Sequence, residues 1–277
     1  QRATASATAV ERVGDCWSPE HTLTGDPARL HIEPRAMGCL PVKSTERPSS
    51  SASPTGTEIG PHAVIRGDTE IGRDNRVFQF ASVGEDPQDK KYAGEDTELI
   101  IGDDNVIREL CTFSRGTVQG GGKTVIGNRN WIMACVHIAH DCILGDDIIM
   151  ANNASLAGHV TVGDWAILSG YSLIHQFCNV GEHSFTSFAS HVNQSIPPYV
   201  TVSGEKAKAK GINSEGLKRR GFTSGQVQQV RRAYKVLYRS GLRLEEAREK
   251  LAEMAAEHEE VRPLIEFLDT TEKSFIR

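Results

Sequence analysis

The chain repeats with a period of six residues. From Ile126 onward every sixth position is apolar: Ile132, Ile138, Leu144, Met150, Leu156, Val162, Leu168, Ile174 and Val180. With 38% of the chain apolar, ten such positions in succession have a chance probability of roughly 6 in 100,000. A second phase, two residues earlier, runs from Thr124 through Asn130, Val136, Cys142, Ile148 and Ala154 to Cys178 and is almost wholly small or β-branched. Six is neither the 3.6-residue period of a helix nor the two-residue period of a strand. It suits one short strand and one turn per hexad, three hexads per coil, with coils stacked at about the 4.8 Å spacing of paired strands. The aliphatic residue then fills a triangular core and the small residue sits near a corner. The glycine of each recurring pair (Ile126-Gly127, Leu144-Gly145, Val162-Gly163, Val180-Gly181) is expected to relieve a tight turn.

Two polar, glycine-containing segments, residues 85–97 and 115–123, break the six-step. They read as loops extruded from the coils, the usual place for function on a rigid scaffold. The hexads stop after Pro197-Pro198. Thr223 with Gln226 forms a capping box ahead of Val227, Val230, Tyr234 and Leu237 at helical spacing, and Gly241 ends that helix. A second amphipathic stretch carries Leu244, Ala247, Leu251 and Met254, and Pro263 opens a last short helix. The expected organisation is an irregular N-terminal segment over 1–54, disordered or atypical, a β-helix over 55–203 and a helical domain over 204–277. Residues 1–54 carry no sustained hexad and a balanced charge, so a flexible extension, a transit segment and a damaged reading frame all remain open.

Charge and cysteines narrow the function classes. The net charge of −5 implies no general attraction to nucleic acid, and no apolar run approaches the length that spans a bilayer. Residues 204–243 nevertheless hold eleven Lys and Arg against two acidic residues, a patch suited to an anionic partner or to a solvated helix face. The six cysteines are scattered without a C-x-x-C pair. This argues against a zinc knuckle or a disulfide framework and fits a reducing compartment.

Six of the ten histidines lie between 137 and 191. In the hexad frame His137, His140, His159 and His175 occupy neither inward phase, so their side chains are expected to point outward. His140, Gly158 and Gln176 recur once every three hexads and should stack on successive coils, with His159 and His175 beside them. This stripe of imidazole, amide and bare backbone suits acyl transfer. A neutral imidazole can take a proton from a hydroxyl near pH 7, a backbone N–H at a glycine can stabilise an oxyanion, and Asp141 can orient the His140 ring or hold its charge. No serine or cysteine pairs clearly with His140, so direct transfer is expected rather than a covalent enzyme intermediate.

Several motifs resemble the UDP-N-acetylglucosamine O-acyltransferase family, which carries out the first step of lipid A synthesis. They are His137-Ile-Ala-His140-Asp-Cys, Ala157-Gly-His159-Val, Ile174-His175-Gln-Phe, Gly211-Ile-Asn-Ser-Glu-Gly-Leu-Lys-Arg-Arg-Gly221, Gln88-Asp89-Lys-Lys91-Tyr-Ala-Gly-Glu95 and Arg115-Gly-Thr-Val-Gln-Gly-Gly-Gly122. The resemblance covers about residues 56–277. It implies a left-handed parallel β-helix of hexapeptide repeats followed by a C-terminal α-helical domain. It also implies a cytoplasmic homotrimer with sites between subunits, an acidic acyl carrier protein as donor, and no cofactor or metal. On this resemblance His140 is the general base on the sugar 3-hydroxyl, Asp141 supports it and the Gly158 N–H is the oxyanion donor. Asp89, Lys91, His137, His159, His175 and Gln176 line the sugar and phosphate site. Asn213, Glu215, Arg219 and Arg220 contact the uridine diphosphate, where arginine's planar fork suits a diphosphate. Phe188 closes the far end of the acyl groove. Ser114 stands where the family often has histidine. The competing readings are the related UDP-sugar N-acyltransferase of the same pathway, a trimeric β-helical zinc hydratase of the carbonic anhydrase type, and a non-catalytic scaffold.

Overall fold

A computed structural model describes residues 30–32, 56–271 and 274–277. Nearly all of the N-terminal segment therefore lies outside the described residues. The exception is a strand, Leu30–Ile32, paired antiparallel with Asp68–Ile71 at the edge of the first sheet.

From Glu58 the chain winds into a left-handed β-helix with three sheets as its faces. Each coil supplies one short strand to each face. Ile143–Leu144, Ile149–Met150 and His137–Ile138 lie on the first, second and third faces respectively. Strands one coil apart pair in parallel, and the register advances by three hexads at each step, from Val125 to Ile143 to Thr161 to Asn179. The ten hexad positions from Ile126 to Val180 are at most 3% exposed and form the axis of the core. The residues two positions earlier, Thr124 and Asn130 included, are equally buried. The register step lengthens between Asp68 and Glu98 and again between Glu98 and Lys123. The two excursions are the loops expected from the broken hexads, and the second contains a single 3-10 turn at Val118–Gly120.

The glycines serve a different purpose from the one expected. Every sixth residue from Arg129 to Ala189 adopts positive φ, and none of these is glycine: Asp141 has φ 60° and His159 φ 61°. The corners are thus turned by residues that carry a modest backbone strain. The glycines after the core aliphatics instead permit close stacking of coils. A Cβ on Gly145 would lie 2.0 Å from Asp164 Oδ1, and one on Gly181 would lie 2.3 Å from the Pro198 nitrogen.

The second face continues into an antiparallel hairpin, Val200–Ser203 with Lys208–Ile212. Four helices follow: α1 (Ser214–Arg219), α2 (Ser224–Arg239), α3 (Leu244–Glu257) and α4 (Arg262–Thr270). The capping box of α2 is present in both directions. The Gln226 N–H donates to Thr223 Oγ1 and the Thr223 N–H donates to Gln226 Oε1. Tyr199, Leu217, Val230, Leu237, Leu251 and Leu264 form the second core. No helix among the described residues is long and apolar enough to cross a membrane.

Candidate active site

The corner where the third face turns into the first gathers His140 and Asp141, Gly158 and His159, and Gln176 and Phe177 on three successive coils. Their positions point away from the prism axis, as the hexad frame requires. They are not all exposed, however: the His140 side chain retains 14% of its accessible surface and Asp141 none. The cover comes from the 115–122 loop. Thr117 donates its backbone N–H to Asp141 Oδ1 at 2.7 Å and its hydroxyl to Oδ2 at 2.6 Å. A Cβ added to Gly120 would fall within 2.4 Å of all three carboxylate atoms, so only glycine lets the loop close this far.

Asp141 Oδ2 also accepts from His140 Nδ1 at 2.7 Å. An ionised carboxylate acts as an acceptor only, so His140 Nδ1 is the donor and, in the neutral ring, Nε2 carries the lone pair. His159 stands edge-on to His140 with ring centroids 5.2 Å apart, its Nε2 3.6 Å from Asp141 Oδ2. Phe177 stacks on the other side of His159 at 4.5 Å. Burial holds the His159 pKa below its ordinary value, against the opposing pull of Asp141 and Asp89. Burial likewise lowers His137, whose Nδ1 is hydrogen-bonded to the Thr112 hydroxyl at 2.7 Å. Donor atoms of His140, Asp141 and His159 lie within 4.8 Å of one another. Because Asp141 Oδ2 and His140 Nδ1 are already spent on each other, this set fits a proton relay better than a catalytic zinc ligand set.

Gly158 lies beneath the His140 ring. A Cβ there would meet Cε1 at 2.5 Å and Nε2 at 2.8 Å. Its N–H makes no hydrogen bond among the described residues. At the corner between the first and second faces the equivalent amides are capped: the Asn128 N–H donates to Asp146 Oδ1 and the Asp146 N–H to Asp164 Oδ1. A buried donor with no protein acceptor is available to a bound group or to water.

The remaining expected residues fall into three groups. Asp89 sits on the 86–97 loop, accepts from the Lys91 N–H at 3.0 Å and acts electrostatically on His159, while Lys91 is exposed. That loop is tied down by Arg115, whose buried guanidinium donates to the Gly84 carbonyl, Asp86 and Tyr92. His175 and Gln176 are exposed one coil below Gly158, and His175 Nδ1 lies 3.2 Å from the Gln176 carbonyl. Asn213 caps α1, Glu215 pairs with Lys218 at 2.8 Å, Arg219 is exposed, and Arg220 lies over the Trp165 ring. This last group stands at the corner between the first and second faces, so a single chain does not bring it to His140. Phe188 occupies the third corner. It is 70% exposed, edge-on to Tyr171 and packed over Gly170.

Comparison with known proteins identifies the family. A model described as UDP-N-acetylglucosamine O-acyltransferase, domain 2, matches residues 196–276, and a model of bacterial transferase hexapeptide repeats matches 123–158. The acyl-[acyl-carrier-protein]–UDP-N-acetylglucosamine O-acyltransferase of Thiobacillus denitrificans is 59% identical over 203 residues, covering 73% of this chain and 79% of the relative. The chain belongs to this O-acyltransferase family. The enzyme of the same name from Halorhodospira halophila is 54% identical over 76% of this chain and 82% of its own length. Among solved structures, the UDP-N-acetylglucosamine acyltransferase of Francisella novicida superposes with a TM-score of 0.77 at 42% identity, covering 80% of this chain and 84% of that one. The Acinetobacter baumannii structure gives 0.76 at 45%, over 80% and 88%. With membership in the O-acyltransferase family, the N-acyltransferase and zinc hydratase readings are set aside.

Sequence reasoning missed Thr117, Arg115, Thr112 and Phe177 as parts of the site. Phe177 was discoverable, because it holds the same corner phase as Asp141 and His159. The Thr117–Asp141 contact joins distant positions across an irregular loop, and no periodicity signals it.

Proposed function

We propose that the chain moves a 3-hydroxyacyl group from acyl carrier protein directly to the 3-hydroxyl of UDP-N-acetylglucosamine, the first step of lipid A synthesis, with His140 as general base. The observation that carries the assignment is the 2.7 Å bond from His140 Nδ1 to the buried Asp141 carboxylate, beside a Gly158 N–H that has no partner among the described residues. His140 Nε2 takes the proton from the sugar hydroxyl as its oxygen attacks the acyl carbonyl. The Gly158 N–H receives the oxyanion and Asp141 balances the imidazolium. Collapse of the intermediate expels the carrier's leaving group, which takes the proton back from His140. Asp89, Lys91, His137, His159, His175 and Gln176 hold the sugar and its phosphates on the same corner.

The uridine diphosphate group, Asn213, Glu215, Arg219 and Arg220, belongs to a neighbouring chain of a cytoplasmic homotrimer, because within one chain it stands across a face from His140. Phe188 limits acyl length, reached along the third face, where Leu173 offers an exposed apolar side chain. The basic 204–243 segment faces the acidic carrier.

The test is transfer of labelled 3-hydroxyacyl chain to UDP-N-acetylglucosamine by wild type, by His140→Ala, by Arg220→Glu and by mixed trimers of the two variants. Product formation requires both substrates, each variant alone is impaired, and mixing restores part of the activity because one intact composite site re-forms. Absence of product from wild type overturns the function, and failure of mixing to restore activity overturns the site between chains.

A further inference from the structure

Three aromatic rings from successive coils stack at the corner between the first and second faces. His183 lies between Trp165 (centroids 6.3 Å, interplanar angle 3°) and Tyr199 (5.7 Å, 16°), and Phe222 from the helical region meets both His183 and Tyr199 edge-on. Tyr199 is 2% exposed and its hydroxyl donates to Glu182, which fixes the base of the column. His183 is the one member with polar atoms directed at the neighbouring site residues. Its carbonyl accepts from Asn213 Nδ2 at 3.0 Å, and its Nδ1 accepts from Arg220 Nη1 at 3.0 Å. The Arg220 guanidinium also lies 5.2 Å from the centre of the Trp165 ring.

We propose that His183 is a positioning residue for the nucleotide end of the substrate, holding Asn213 and Arg220 together in the geometry that receives the diphosphate. The inference rests on the reading of those two residues given above. An arginine free to rotate loses side-chain entropy when it closes on a phosphate. One already hydrogen-bonded through one arm and stacked on an indole has lost much of that freedom beforehand. The acceptor role needs a neutral imidazole. Burial, and secondarily the Arg220 charge, push the ring down to about 4, so Nδ1 keeps its lone pair at neutral pH. Imidazolium would have no acceptor and would repel the guanidinium.

The experiment compares His183→Phe, His183→Asn, Arg220→Gln and the Phe/Gln double variant in the full chain, by steady-state kinetics and by calorimetric titration with UDP-N-acetylglucosamine. Phenylalanine keeps the stack and removes the acceptor. Asparagine keeps an acceptor and tolerates the positive φ of 55° at this position. Expected for His183→Phe is a rise of about three- to tenfold in Kd and KM, the loss of one ordinary hydrogen bond's worth of organisation, with kcat within twofold and the melting temperature unchanged. His183→Asn should bind within about twofold of wild type, and the double variant should be no worse than Arg220→Gln alone. An additive double variant, an unchanged Kd in His183→Phe, or equally weak binding by the Phe and Asn variants overturns the positioning role. If Arg220→Gln itself leaves Kd unchanged, the fault lies in the reading of Arg220, and the proposal falls with it.

Discussion

Replacing Gly158 with alanine separates the two roles proposed for this residue, seat of the His140 ring and oxyanion donor. The added methyl would sit 2.5, 2.8 and 3.1 Å from His140 Cε1, Nε2 and Nδ1, where ordinary contacts require about 3.5–4.0 Å. The backbone at this position does not have positive φ, so the chain accepts alanine and the imidazole must yield, by about 1 Å. A shift of that size takes Nδ1 out of hydrogen-bonding range of Asp141 Oδ2, now 2.7 Å away. The Gly158 N–H itself is retained, so the proposed oxyanion donor survives. Displacing a general base by about 1 Å costs on the order of 100-fold in rate, equivalent to about 2.7 kcal/mol of transition-state stabilisation. Gly158→Ala should therefore lose about two orders of magnitude in kcat while its Kd for UDP-N-acetylglucosamine and its melting temperature stay close to wild type. The assay is single-turnover acyl transfer beside calorimetry and thermal unfolding. A kcat within threefold of wild type would refute the reasoning, because it would mean that the ring's seat on Gly158 does not govern catalysis.

Three further outcomes are expected. Thr117→Val keeps the backbone bond to Asp141 but deletes the hydroxyl bond at 2.6 Å, so kcat should fall about tenfold and stability by about 1.5–3 kcal/mol, the range for a bond to a charged group, read by kinetics and chemical denaturation. His183, held at about 4 in the folded chain against about 6.5 unfolded, binds fewer protons folded than unfolded between those values. Its effect on stability is absent above pH 6.5, and stability falls as pH drops toward 4, by at most about 3 kcal/mol before solvent screening; denaturation across that window should show a shallower loss in His183→Phe. Phe188→Gly should move the acyl preference toward longer donors by about fourfold in kcat/KM per methylene, from about 0.8 kcal/mol per buried CH₂, and an unchanged length profile would place the end of the groove elsewhere.

The fold was legible because a hexad leaves every core position predictable from Ile126 onward, and stacking at three hexads per coil then aligns His140, Gly158 and Gln176 with no further information. Helix α2 was equally legible, since Thr223 and Gln226 carry a local signal. Cover was not legible. The hexad frame points His140 outward, yet it and Asp141 are shielded, because a loop with no periodicity folds Thr117 back onto the corner. The glycines misled for a related reason. Their sequence position marks a turn, but the positive φ falls on Asp141, His159 and their equivalents, and the glycines answer to the approach of the next coil, which a single coil's sequence does not display. Asn213 and Arg220 stand at a different corner from His140, a separation that a linear motif cannot convey.

The central claim is that His140, poised by Asp141, is the base for acyl transfer. The most direct measurement is the single-turnover rate of labelled hydroxyacyl transfer from acyl carrier protein to UDP-N-acetylglucosamine by purified His140→Ala, with UDP-sugar affinity and oligomeric state measured on the same preparation. Loss of a general base typically costs 10²–10⁴ in rate, and a part-exposed corner histidine contributes little to the core. The account predicts a rate at least about 100-fold below wild type, with binding within a few-fold and assembly intact. Transfer at the wild-type rate by that variant would contradict it.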